Sequence, residues 1–201
     1  MVLRRALLHV VAGVLHPFYS FYARTIPFRM VKGELNPDLL APGTNVIYVF
    51  WHSKTFLMLP LCRDLNIGVL TLKDWKNVLY DNLCRLYGYK TVPVTSFEGA
   101  AVELKNLLDS GYSIALALDG PRGPAGVPKR GAFHLSRTTG KPIVAVRVEY
   151  TRSVRVRSRW DQYELPLPFA AATFSNYGPI QVSDENLEET EQRILAHLDR
   201  P

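Results

Sequence analysis

The sequence predicts an α/β domain, a layered sandwich with a mostly parallel central sheet flanked by helices. Three observations carry that expectation. Short β-rich apolar runs alternate with amphipathic helical runs at a spacing that suits strand–helix–strand units. No Gly/Ser/Pro-rich linker or internal repeat divides the chain. Its 201 residues are enough for one well-buried core and few for two.

The elements follow in order. "NVIYVF" (Asn45 to Phe50) follows the breakers Pro42 and Gly43 and reads as a buried strand, and "IGVLTL" (Ile67 to Leu72) as a second. The period then changes to helical. Trp75, Val78, Leu79, Leu83, Leu86 and Tyr87 share one face, with Asp74 as N-cap and Gly88 just past the end. "KTVPV" is a strand whose Pro93 suits an edge or a bulge. Ser96 is read as the N-cap of a helix burying Ala100, Ala101, Leu104, Leu107 and Leu108. "SIALALD" is a core strand, "GAFHLSRTTG" a short helix and "PIVAVRVEY" another strand. Beyond Tyr150, shorter and partly antiparallel strands are expected, then a closing helix whose Asp184 and early glutamates complement its N-terminus.

The N-terminus is different. Ala6 to Ala23 contains no charged residue, with Arg4 and Arg5 before it and Arg24 after it. Three readings stand: a helix or hairpin on a membrane surface, a core helix, or a signal or true span. His9, His16, Pro17 and Ser20 interrupt the apolar run, and Tyr19 and Tyr22 suit the headgroup level. A net charge of +6 favours anionic partners, so a monotopic anchor (residues 1–23) on a basic domain (residues 24–201) is coherent. Cys62 and Cys84 lack metal-ligand spacing and read as buried thiols of a reducing compartment.

Two segments place reactive groups beyond carboxyl ends of strands, where such sheets bind ligands. In "FWHSKTF", Trp51 and His52 sit at a strand exit, where an imidazole serves as general base or merely caps the turn. In "LALDGPRGPAGVPKRG", Asp119 ends the strand, and four Gly and three Pro pave a loop bearing Arg122, Lys129 and Arg130. Such a loop either preorganises donors for an anion or only turns the chain. The alternating Arg155, Arg157 and Arg159 fit the solvent face of a strand, or a cationic patch against lipid headgroups. Aromatics are not interleaved for base stacking, so nucleic acid is not an expected partner.

"YVFWHSKTFLMLPL", "ALDGPRGPAGVPKRGAFHLSRTTGKPIVAVRVE" and "SRWDQYELPLPF" together resemble an uncharacterised bacterial family of the lysophospholipid/glycerolphosphate acyltransferase-like superfamily. The similarity runs from about Arg24 to Val182. It implies a glycerolphosphate-acyltransferase-like fold and an O-acyltransferase that moves an acyl chain from acyl-CoA or acyl-carrier protein to an anionic lipid hydroxyl. It implies no metal and no cofactor beyond the donor. The place it implies is the cytoplasmic face of the inner membrane, peripheral or monotopic. His52 is similar to the His of the superfamily's H-x-x-x-x-D motif, and Asp119, Gly120 and Arg122 to its E-G-T-R loop. By that resemblance His52 is the catalytic base, and Gly120 and Arg122 meet substrate; Trp51, Gly123, Lys129 and Arg130 are expected to meet it beside them. "KPIVAV" is similar to the last block, with Pro142 beneath the site.

Two departures matter. Five residues past His52 stands Leu57, so the usual orienting carboxylate is missing. Asp119 and Asp74 are the candidates to replace it, and Asp119, the nearer, is favoured. Val94, Thr95 and Ser96 stand where relatives carry an arginine, which leaves the acceptor open. Leu57 also motivates a rival: a non-catalytic lipid-binding protein on the same scaffold. A third reading is acyl transfer to a glycolipid or saccharide hydroxyl.

Overall fold

A computed structural model describes residues 2–30, 44–74, 77–95 and 100–199, with side chains from Ala6 onward and Met30 excepted. Trp75, Ser96, Pro42 and Gly43, named above, lie outside the described residues.

The first helix, α1 (Val2–Arg24), leads into a short strand, β1 (Phe28–Met30). β2 (Ile47–Phe50) then runs into a 3-10 turn, His52–Lys54, and α2 (Thr55–Leu61). Two strand–helix units follow: β3 (Ile67–Leu72) with α3 (Val78–Leu86), and β4 (Lys90–Val94) with α4 (Ala100–Asp109). Next come β5 (Ser113–Ala117), α5 (Gly131–Thr139) and β6 (Ile143–Tyr150). A separate hairpin of β7 (Ser153–Arg155) and β8 (Glu164–Pro166) precedes β9 (Ala172–Ile180) and α6 (Leu187–Leu198).

The main sheet has the order β1-β9-β6-β2-β5-β3-β4. Its pairings are parallel except β6 with β9. This is the expected α/β sandwich. β4 lies at an edge, where the missing N–H of Pro93 costs no ladder bond.

Alternation in β2 explains the layers. Tyr48 and Phe50 join a core that includes Leu57, Met58, Cys84 and Tyr87, on the side of α1, α2 and α3. Ile47 and Val49 join Leu104, Phe133 and Ile194 on the side of α4, α5 and α6. Helix α1 is packed on one face only. Its inner face packs: Ser20 Oγ lies 2.7 Å from the Tyr87 hydroxyl, and the Tyr19 and Phe56 rings are 4.8 Å apart. Its outer face, with Val10, Phe18 and Phe21, is exposed.

Several expectations are corrected. α3 begins after Asn77, and Asp74 instead accepts the Asn77 N–H at 3.0 Å. Leu86 and Ala101 are exposed, because Cys84 with Tyr87, and Ala100 with Leu104 and Leu108, take the inward positions. Cys62 is only half-buried, on the wall of an apolar cavity.

Candidate active site

Strands β2 and β5 end together, Phe50 opposite Ala117, so His52 and Asp119 emerge side by side at one edge. The Asp119 carboxylate is buried and accepts the backbone N–H of His52 through Oδ1 at 3.0 Å. Its Oδ2 accepts the Gly126 N–H at 3.4 Å. Asp119 therefore stitches the 3-10 turn to its own loop and does not touch the imidazole. The expectation that Asp119 orients His52 is corrected, and Asp74 is equally excluded, being occupied at the exposed start of α3.

The carboxylate on the ring is Asp161. Its Oδ2 lies 2.8 Å from His52 Nδ1. Asp161 comes from the connection between β7 and β8, 109 residues further along the chain. Arg159 clasps it in bidentate fashion, Nε to Oδ1 at 2.9 Å and Nη2 to Oδ2 at 2.8 Å. The Tyr163 N–H adds a weaker contact to Oδ1 at 3.3 Å. Arg159 is thus not on the solvent face of a strand, as its alternation with Arg155 and Arg157 suggested. Burial would raise the Asp161 carboxyl, but the hydrogen bonds and charge of Arg159, with His52, hold it below the usual carboxylate range. Ionised Asp161 accepts, so Nδ1 carries the hydrogen and Nε2 keeps its lone pair. The His52 side chain is 28 % exposed, and Nε2 has no partner among the described residues.

A second charge pair fixes the hairpin. Lys54, two residues after His52, binds Glu164, three residues after Asp161. Glu164 also accepts from Ser153 Oγ at 2.5 Å. Burial raises its carboxyl, yet the Lys54 and Ser153 hydrogen bonds carry it below its ordinary value. The Thr55 and Tyr163 hydroxyls lie 3.2 Å apart. The hairpin is therefore buttoned to the turn at both positions that matter.

Trp160 joins the loop to the ring. Its indole centroid lies 5.1 Å from that of His52. On the loop side, a Cβ on Gly123 would collide with the Trp160 ring, and Gly123 has φ +65°. Only glycine satisfies both demands, the left-handed backbone and the close approach. Arg122, beside it, is exposed and has no partner among the described residues. Gly120 also has positive φ, +67°, with the Lys129 stem passing over it. Lys129 and Arg130 are exposed, and Arg130 Nε lies 3.9 Å from Glu191.

Trp51 departs from the expected role in substrate contact. Its ring is buried in the core of the α4, α5 and α6 side, and its indole N–H donates to Asp199 Oδ1 at 2.8 Å. Leu57 is fully buried in the opposite core. The position that would carry an acid in an H-x-x-x-x-D pattern is therefore a packing position here. The apolar cavity of that core is lined by Phe50, Thr55, Met58, Leu59, Val69 and Tyr89, among others. Thr55 Oγ1 donates to the His52 carbonyl at 3.1 Å, so the cavity begins one turn after the imidazole. Among the described residues, no group of three or more His, Cys, Asp or Glu is placed to hold a metal ion.

Sequence reasoning missed Asp161 and Glu164. A signal was present: Asp161 stands in an arginine-rich stretch, two residues after Arg159, and an acid there can be claimed by its neighbour.

No family model matches the chain, and no curated protein matches it. Among solved structures it is similar to the 1-acyl-sn-glycerophosphate (LPA) acyltransferase PlsC from Thermotoga maritima, with a TM-score of 0.53 at 17 % identity. The match covers 94 % of this chain and 82 % of that one. At this identity the likeness is one of fold, and it agrees with the sandwich described above.

Proposed function

We propose that this chain is an O-acyltransferase that uses His52 as general base. The observation that carries the reading is the His52–Asp161 bond, 2.8 Å long, made by a buried carboxylate to Nδ1 of a ring whose other nitrogen is unengaged. The lone pair of Nε2 takes the proton of an acceptor hydroxyl as its oxygen bonds to the carbonyl carbon of an acyl thioester. Asp161 holds the ring in that tautomer and offsets the charge of the imidazolium formed. When the tetrahedral intermediate collapses, the C–S bond breaks and the leaving thiolate takes the proton back from Nε2. The ester is formed and the base is restored.

The other parts of the site support the same reading. Exposed Arg122, on a loop held by Asp119 and Trp160, supplies a guanidinium for the phosphate of a lysophospholipid-like or other anionic lipid acceptor. Lys129 and Arg130 add charge at the far end of that loop. The apolar cavity beyond Thr55 suits the first carbons of the donor's acyl chain. The donor is acyl-CoA or acyl-carrier protein. The exposed apolar stripe of α1 keeps the domain on a membrane surface. Asp161, on the ring through Nδ1, supports this reading over the non-catalytic scaffold that Leu57 motivated.

The test is turnover by the full chain, reconstituted with vesicles, labelled acyl-CoA or acyl-carrier protein and mixed lysolipid acceptors. His52→Ala is expected to lower kcat by about 10²–10⁴-fold. Full activity in that variant would remove His52 as the base, and lipid binding without turnover by the wild type would return the non-catalytic reading.

A further inference from the structure

We propose that the membrane-contacting surface continues past α1 onto the α/β domain, where Phe28 and Phe169, flanked by Arg24 and Arg152, dock on an anionic lipid bilayer. The inference rests on the reading of α1 as membrane-facing and adds residues that no anchor helix contains.

The stripe on α1 is regular. Leu7, Val10, Val14, Phe18 and Phe21 are all exposed and recur every three or four residues, so they form one line down the helix. At its C-terminal end the line does not stop. Phe28, 50 % exposed, meets the Phe174 ring edge-on at 6.3 Å, and Phe174 belongs to the core on the α1 side of the sheet. Phe28 therefore emerges on the same side as α1. Phe169 lies alongside: its N–H donates to the Thr25 carbonyl at 3.1 Å, and the Ala172 N–H to Pro27 at 2.9 Å.

Phe169 is the most informative residue of the group. At 81 % it is the most exposed large hydrophobic side chain among the described residues. Its φ is +65°, a backbone region that bulky side chains rarely adopt. A strained residue that holds an aromatic ring in water contributes nothing to the core. A ring in that position is suited to leaving water for lipid.

Charge identifies the occupant. Arg24 and Arg152, which border the patch along the chain, are exposed cations, whereas Arg29 alternates to the other face of the sheet, and α1 itself is uncharged from Ala6 to Ala23. Aromatic rings flanked by two arginines match an interface of apolar tails and anionic headgroups. The hairpin then links this patch to the chemistry. Its base is pinned to the patch by the Tyr22 hydroxyl on the Pro166 carbonyl at 2.7 Å and by Leu167 N–H on Arg152 at 3.0 Å. From Leu167 to Asp161 the chain spans at most about 20 Å. The orienting carboxylate thus stands on an arm rooted at the bilayer.

Flotation of the full chain with vesicles of phosphatidylcholine alone, or of phosphatidylcholine with phosphatidylglycerol, tests the proposal. Phe169→Ser should lower partition into the mixed vesicles by about 10-fold. Arg152→Gln should lower it about 5-fold, and only where the anionic lipid is present. Both should keep wild-type turnover of a detergent-dispersed acceptor. Unchanged partition of Phe169→Ser overturns the proposal while the reading of α1 stands. If the double variant Phe18→Ser/Phe21→Ser also partitions like wild type, the reading of α1 has failed as well. Should Phe169→Ser not fold, Phe169→Trp serves instead. Its added fluorescence should be quenched by brominated phosphatidylcholine in mixed vesicles, and absence of quenching overturns the proposal.

Discussion

The loop 119–130 and the hairpin 153–166 both reach His52, and they are held in place by different physics. The loop is stiffened by its own covalent chemistry, three prolines and the left-handed glycines, and is fastened by backbone N–H groups on one buried carboxylate. The hairpin has only three residues in each strand and is fastened by charged side chains, His52 to Asp161 and Lys54 to Glu164. A two-stranded ribbon this short is not stable alone. Its position depends on those pairs. In the proposed mechanism the loop presents an exposed cation to the acceptor and the hairpin a fixed anion to the base, so one region would govern binding and the other proton transfer.

The sharpest way to break that division is Asp161→Asn. An amide there donates to Nδ1 or turns its oxygen without charge, and the expected loss in kcat is about 10²–10⁴-fold with the acceptor KM little changed. Asp119→Asn is the control. If it costs kcat as much as Asp161→Asn does, and the latter leaves the pH–rate profile unmoved, the two carboxylates have been assigned the wrong way round.

Arg122→Ala addresses the loop. Loss of a charge-assisted contact to an anionic acceptor is expected to raise KM by about 10–100-fold, with a smaller effect on kcat. Steady-state kinetics with an anionic and an uncharged acceptor separate the cases: an equal loss with both would mean that the loop acts on the fold and not on the ligand.

The smallest effect concerns acid. Asp161 and Glu164 both titrate below their ordinary values in the folded protein. Their contribution to stability is therefore complete above the unfolded carboxylate values of about 4 and is lost as the pH falls through the lower, folded ones. Glu164→Gln should flatten the acid limb of a plot of Tm against pH, by a few degrees at most. An acid limb of the same steepness in the variant would show that the Lys54 pair does not fasten the hairpin.

The same contrast explains what the sequence discloses. Periodicity located most of the elements, because each records a local choice between a half-buried ribbon and an amphipathic helix. The loop announced itself through glycine and proline, whose backbone demands are local too. His52 was legible as the residue at a strand exit. Asp161 was not, because its partner is 109 residues away and nothing near it in the chain reports that distance. Trp51 misled for the related reason that adjacency in sequence does not fix direction: it follows β2, and its indole turns into the α6 side of the core, opposite to where Leu57 lies. Pairwise convergence across the fold leaves only a faint trace in a single chain, here an acid among arginines.

An acid five positions beyond a histidine is in place as soon as one helical turn has formed. In this protein the corresponding group is translated 109 residues later, on a ribbon that must dock back onto the 3-10 turn after β2. A nascent chain still on the ribosome accordingly carries an imidazole whose partner carboxylate has yet to be made.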